Sequence, residues 1–124
     1  MVIEVALFEF LDRGYYDVHM KQVNEELDQR YKNCLDMLKE TMPAGVKWTK
    51  PGGGLVLWLE IPRKVSLEPL AAALLARNVR IMISNPAFMG APHLHGFRIC
   101  HSAIKPAAMR QGLEILGEEL RKQL

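Results

Sequence analysis

The chain has 124 residues, 49% of them hydrophobic and 24% charged, the composition of one globular domain rather than of a disordered segment. Its net charge is only +2, with Lys and Arg spread along the chain, which excludes the basic stripe of a nucleic-acid-binding surface. Two distant cysteines, Cys34 and Cys100, exclude a disulfide framework and point to a reducing, cytoplasmic setting.

The opening run "MVIEVALFEFL" contains Glu4 and Glu9 and lacks both a basic start and a small-residue cleavage site. It reads as neither a leader nor a membrane span. Val2, Val5, Phe8 and Leu11 fall at helical spacing, and Gly14 is a natural stop. The pattern begins inside a helix with no cap before it. Residues 1–14 are therefore expected to be the end of a preceding helix, an interdomain segment, with a domain over 15–124. A longer helix is predicted from about Asp17 to Met42, its stripe formed by Met20, Val23, Leu27, Tyr31, Cys34 and Leu38. Pro43 and Gly45 end it.

A β region comes next. "VKWT" reads as a short strand, "KPGGG" as a turn, and "LVLWLEI" as a longer strand closed by Pro62. Leu55, Leu57, Leu59 and Ile61 share one face of that strand, with Val56, Trp58 and Glu60 on the other. A lysine beside three glycines raises the question of a phosphate loop. Such a loop needs Lys-Ser/Thr after the glycines and a helix to present its N–H groups. Here Lys50 precedes the glycines and a strand comes after them, so the segment is a turn.

Ser66 is the expected N-cap of the next helix, whose stripe is Leu67, Leu70, Ala71 and Leu74. That helix ends near Asn78. "VRIMIS" (79–84) is a predicted strand, residues 85–96 a loop, and "FRICHS" (97–102) the last strand. The closing helix starts near Pro106, with Met109, Leu113, Leu116 and Leu120 inward. This order predicts an α+β fold: a small, mostly antiparallel sheet with helices packed on one face. Several strands are apolar on both faces, which suggests a missing neighbour and predicts an exposed apolar patch.

Arg98 stands in an otherwise apolar strand, alternating with Phe97 and Ile99. A guanidinium there suits bidentate pairing with a ligand carboxylate. The alternatives are an ion pair with an acid of the same domain or a place at the sheet rim. His93, His95 and His101 lack a Cys or carboxylate at ligand spacing and read as loop histidines. Cys100 and His101 are strand neighbours and face opposite ways, while Cys34 belongs to the core stripe.

Five segments, in order, resemble the small C-terminal domain of class I/II aminotransferases, of pyridoxal-phosphate fold type I. They are "GYYDVHMKQVNEELDQRYKNCLDML" with Arg30 within it, "GGGLVLWLEIP", "LAAALLARNVRIMIS", "GFRICHSAI" and "MRQGLEILGEELRK". The resemblance implies that Arg98 binds the substrate α-carboxylate and that His19 is a structural hydrogen-bonding residue near the domain hinge. It also implies that the catalytic lysine and the cofactor's other partners lie in a large domain outside this chain. No catalytic, cofactor-binding or metal residue is then expected here, and pyridoxal phosphate belongs to the longer parent. The loop Ile83-Ser84-Asn85-Pro86-Ala87-Phe88 departs from the family's Pro-Gly pattern, with Phe88 near the family's Phe position. The implied partners are that large domain, a second copy in a homodimer, and an amino acid or amine effector. DNA would be reached only through a separate N-terminal winged helix, and no membrane is involved. The implied parent is a GntR-family regulator of the MocR type; the alternative is a free-standing aminotransferase. A complete, non-catalytic α+β interaction module is the reading of another class.

Overall fold

The computed structural model describes residues 1–50, 56–83 and 94–124. Helix α1 (Val2–Asp12) is followed by Gly14 in the left-handed region, at φ 77°. That conformation suits glycine because it has no Cβ to clash. Helix α2 (Tyr15–Thr41) leaves from it and runs 27 residues. Its stripe is half-buried at Met20, Val23 and Leu27 and becomes fully buried at Cys34, Met37 and Leu38. Only the C-terminal half of α2 therefore belongs to the core. No residue of α1 is buried; Phe10 holds it to α2 through ring contacts with Tyr15, Tyr16 and His19 at 6.2–6.4 Å.

Strands β1 (Lys47–Trp48), β2 (Val56–Glu60) and β3 (Gly96–Cys100) form an antiparallel sheet in the order β1-β2-β3. The register sets Lys47 opposite Glu60, Leu59 opposite Phe97 and Trp58 opposite Arg98. Thr49 prolongs the first pairing: its N–H donates to the Trp58 carbonyl at 3.0 Å, and its hydroxyl accepts the Trp58 N–H at 2.9 Å. The glycines of the predicted turn lie outside the described residues, yet the chain beyond them enters β2, a strand, as the turn reading requires. At Gly96 a Cβ would collide with the Leu59 carbonyl oxygen, so glycine is needed where β3 meets β2.

Alternation divides the sheet as predicted. Leu57, Leu59, Ile61 and Phe97 are buried, whereas Val56, Glu60 and Arg98 are exposed. The buried face joins one core with Cys34 and Leu38 of α2, Leu70 and Leu74 of α3 (Leu67–Ala76), and Leu113, Leu116 and Leu120 of α4 (Pro106–Gln123). The α+β architecture, a small antiparallel sheet with helices on one face, is as the sequence led us to expect.

The helices are stitched by side chains from the end of α4. Arg121 Nη2 donates to the Thr41 carbonyl at 2.8 Å, satisfying an orphan acceptor at the C-terminus of α2. Gln123 Oε1 accepts the Ser66 N–H at 2.8 Å. Ser66 occupies the predicted N-cap of α3, but its hydroxyl makes no capping bond. Arg77 bridges α3 to Glu118 and Glu119 of α4.

The predicted strand over 79–84 is a correction. Among the described residues, 79–82 join no ladder, and Ile83 makes a single antiparallel bridge to Phe97. The cause is local. Asn78 takes a left-handed conformation at φ 64°, and the Val79 N–H bonds back to the Leu74 carbonyl at 2.8 Å. The chain is thereby held to the end of α3 instead of along the edge of β3. Among the described residues no helix is long and apolar enough to cross a membrane.

Candidate functional site

Pleating of β3 sends Phe97 toward the helices and Arg98 to the opposite, helix-free face of the sheet. Trp58 lies directly across from Arg98, and Val56 across from Cys100. Arg98 Nη2 comes within 3.7 Å of Met82 Sδ, a soft contact that leaves its remaining donors for a stronger acceptor. Arg13, Arg30, Arg77 and Arg110 all pair with glutamates. Among the described residues Arg98 has no carboxylate partner, so the ion-pair alternative finds no counterpart there, while its exposed position on the outermost strand β3 agrees with the sheet-rim alternative.

Cys100 shares this face, half-buried, its Sγ 3.3 Å from Ser102 Oγ. The Ser102 hydroxyl, and to a lesser degree the charge of Arg98, hold its thiol below the ordinary range. Cys34 is the opposite case. It is fully buried in the core stripe, and burial pushes its thiol up to about 11.

A cavity of about 460 Å³ runs beside the outer edge of β3, between residues 79–82 and α4. Phe97, Leu113 and Leu116 form its floor, and Arg80 and Arg98 are its charged residues. Among the described residues, no lysine and no acid line it. A pyridoxal phosphate site needs an amine for the cofactor carbonyl and an acid for the ring nitrogen. Lys32 and Lys122 are instead paired with Asp28 and Glu119. Among the described residues around Arg98, neither such group is present.

The histidines divide by environment. His95 Nε2 lies 2.7 Å from the Val65 carbonyl, a structural tie across the start of β3. His101 is only 3% exposed and packs on the Tyr31 ring at 5.3 Å between centroids. Neither of its ring nitrogens has a partner among the described residues, and burial lowers its pKa. His19 is exposed and touches Phe10 edge-on, and its side chain makes no hydrogen bond among the described residues. His93 and Phe88 lie outside the described residues. Among those described, no group of three His, Cys, Asp or Glu side chains could hold a metal.

Around Arg98 stand Trp58, Met82 and Arg80, none of which the sequence marks as a site residue. Trp58 could have been found only from the β2–β3 register. Arg80 and Met82 fall in the predicted strand over 79–84, a pattern that gives no sign of a cavity wall.

A family model described as aminotransferase class I and II matches residues 5–116. The aromatic-amino-acid aminotransferase 1 of Thermococcus litoralis is 26% identical over 121 residues, covering 98% of this chain and 29% of its own length. An uncharacterised HTH-type transcriptional regulator of Escherichia coli, YdcR, is 29% identical over 79 residues, covering 64% of this chain and 17% of its own. Among solved structures, the kynurenine aminotransferase of Pyrococcus horikoshii superposes with a TM-score of 0.83 at 23% identity, over 93% of this chain and 28% of that one. The chain therefore spans less than a third of the length of these relatives.

Proposed function

Because this chain belongs to the class I and II aminotransferase family, we propose that it serves as the small domain of a longer pyridoxal-phosphate-dependent protein, in which Arg98 grips the carboxylate of an amino acid or related effector. The observation that carries the reading is Arg98 itself. It stands on the helix-free face of the sheet with no carboxylate partner among the described residues, beside an apolar cavity. A guanidinium donates two parallel N–H bonds to a carboxylate, and in a site closed from water such bonds gain strength. The cofactor, its lysine and its acidic partner belong on this reading to the large domain, which would cover the open face of the sheet. A homodimer and a cytoplasmic location are part of the same proposal.

The parent we favour is a GntR/MocR-type regulator. Its separate N-terminal domain would bind DNA while the aminotransferase-like part senses an effector, in keeping with HTH-type regulators of Escherichia coli and Bacillus subtilis among the relatives. A free-standing aminotransferase is the second reading, favoured by a match to the Thermococcus enzyme over 98% of this chain.

The test uses the product of the full reading frame. Arg98→Gln should weaken amino-acid or 2-oxo-acid binding by roughly tenfold to a hundredfold, the scale of a lost charge-assisted bond. Arg98→Lys should fall between the two, since it keeps the charge and loses the fork. Unchanged affinity in Arg98→Gln would refute the assignment. A winged-helix sequence ahead of the large domain would select the regulator over the enzyme.

A further inference from the structure

We propose that His101 is an acid-sensitive latch: its neutral ring seals the seam between α2 and the turn over residues 101–105, and taking up a proton drives the ring out and frees that turn. His101 follows β3 directly, is 3% exposed and packs on Tyr31 of α2 at 5.3 Å between ring centroids. Around it lies a small chamber whose walls include Arg30, Asn33, Cys34 and Met37 of α2, Ile104 of the turn and Met109 of α4. Neither ring nitrogen has a hydrogen-bond partner among the described residues. A neutral imidazole brings one N–H to such a place; an imidazolium brings two, together with a full charge. Burying that charge unpaired costs far more than burying the neutral ring. Nor can the charged ring be hydrated where it sits. The chamber holds about 10 Å³, the lower limit for a single water.

The groups facing the ring do not relieve the charge. From α2, the Arg30 guanidinium is itself positive and is engaged by Glu26 and the Ser102 carbonyl. Asn33 already gives its side-chain oxygen to Gln29 Nε2 at 3.1 Å. Burial keeps the Cys34 thiol protonated, pushed up to about 11, and Tyr31 presents its ring, weak compensation for a desolvated cation. Met109 comes from α4, and the Cys100 thiol of β3 turns to Ser102 Oγ instead. Among the described residues no carboxylate lines the chamber. The turn is lightly held. Residues 101–104 lie in no helix or ladder, and Arg30 ties them to α2 at the Ser102 carbonyl. A proton on His101 sets a second cation beside that guanidinium. Burial holds the seated ring below the ordinary histidine range, whereas a released ring regains it. The released population should therefore rise by up to about tenfold for each pH unit below about 6.5, until the seated ring itself takes a proton.

The test follows the 124-residue chain by NMR from about pH 7.5 to 5, a window that spans the histidine range. It reads the nuclear Overhauser contacts of the His101 ring with Tyr31 and Met109, with the Leu70 and Leu74 methyl groups of α3 as the core reference. Those contacts should fade below about pH 6.5 while the Leu70 and Leu74 signals hold. His101→Phe should keep its contacts with Tyr31 and Met109 throughout. Contacts that survive full titration of the His101 ring overturn the latch, because the proton is then accepted in place. Loss shared by Leu70 and Leu74 also overturns it, since the whole chain then unfolds. So does a loss that persists in His101→Phe, which would assign the titration to another group. Should His101→Phe fail to fold by circular dichroism, the ring contacts and leucine signals of the unaltered chain decide the matter.

Discussion

Arg98, Cys100 and His101 lie within four positions of one another, and their environments differ as their pleating dictates. Arg98 and Cys100 share the helix-free face, while His101, just past the end of β3, turns into the interior against Tyr31. Iodoacetamide should therefore label Cys100 in the native chain well before Cys34, whose thiol is buried and raised to about 11. Mass spectrometry after brief labelling checks this, and equal labelling of the two would contradict it. His101 predicts a pH dependence. Burial lowers its pKa in the folded chain, so the unfolded chain takes up a proton at higher pH than the folded one. Stability should be full above about pH 6.5, the ordinary histidine value, and fall as pH drops through it. Tyr31 and the guanidinium of Arg30, bonded to the neighbouring Ser102 carbonyl, offer no negative charge to relieve this. His101→Phe should flatten the slope in thermal melts between about pH 7 and 5. The face of each of these residues was legible from strand alternation. That His101 lacks a hydrogen-bond partner among the described residues was not, because it depends on what α2 brings to it.

Among the elements, the two glycines of α4 make a paired prediction. Gly117→Ala should cost about 1–3 kcal/mol, since the new methyl strikes the Thr41 carbonyl at the end of α2. Gly112→Ala should stabilise by about 0.5–1 kcal/mol, because the helix gains propensity and meets no neighbour. Urea unfolding of both variants measures the difference, and effects of the same sign would contradict the packing described. From the sequence alone the two glycines look alike; the crossing of α4 over α2 separates them. Helices α1 to α4 were legible from their apolar periodicity, with α2 observed over Tyr15–Thr41 against a predicted start near Asp17. The strand predicted at 79–84 was not borne out. Its alternation of Ile81, Met82 and Ile83 reports a half-buried segment, and no property of the segment itself decides whether an edge of β3 accepts it.

For the whole molecule, one face of the sheet and all of α1 lie outside the core. Val56 is 43% exposed, Met82 63% and Phe8 62%. On our proposal the large domain covers this exposed apolar surface. Removing residues 1–14 should lower stability by at most about 1 kcal/mol, because α1 contributes no buried residue; a chemical unfolding curve on the shortened chain checks it. The apolar strand faces already suggested a missing neighbour, while the cavity was invisible in the sequence because it lies between elements distant along the chain. The most direct test of the central claim, a carboxylate-gripping lobe whose cofactor is held elsewhere, is to add pyridoxal phosphate to the 124-residue chain and to the full-length protein. The account predicts a saturable, borohydride-trappable absorbance from the full-length protein alone. A stoichiometric signal from the 124-residue chain would contradict it.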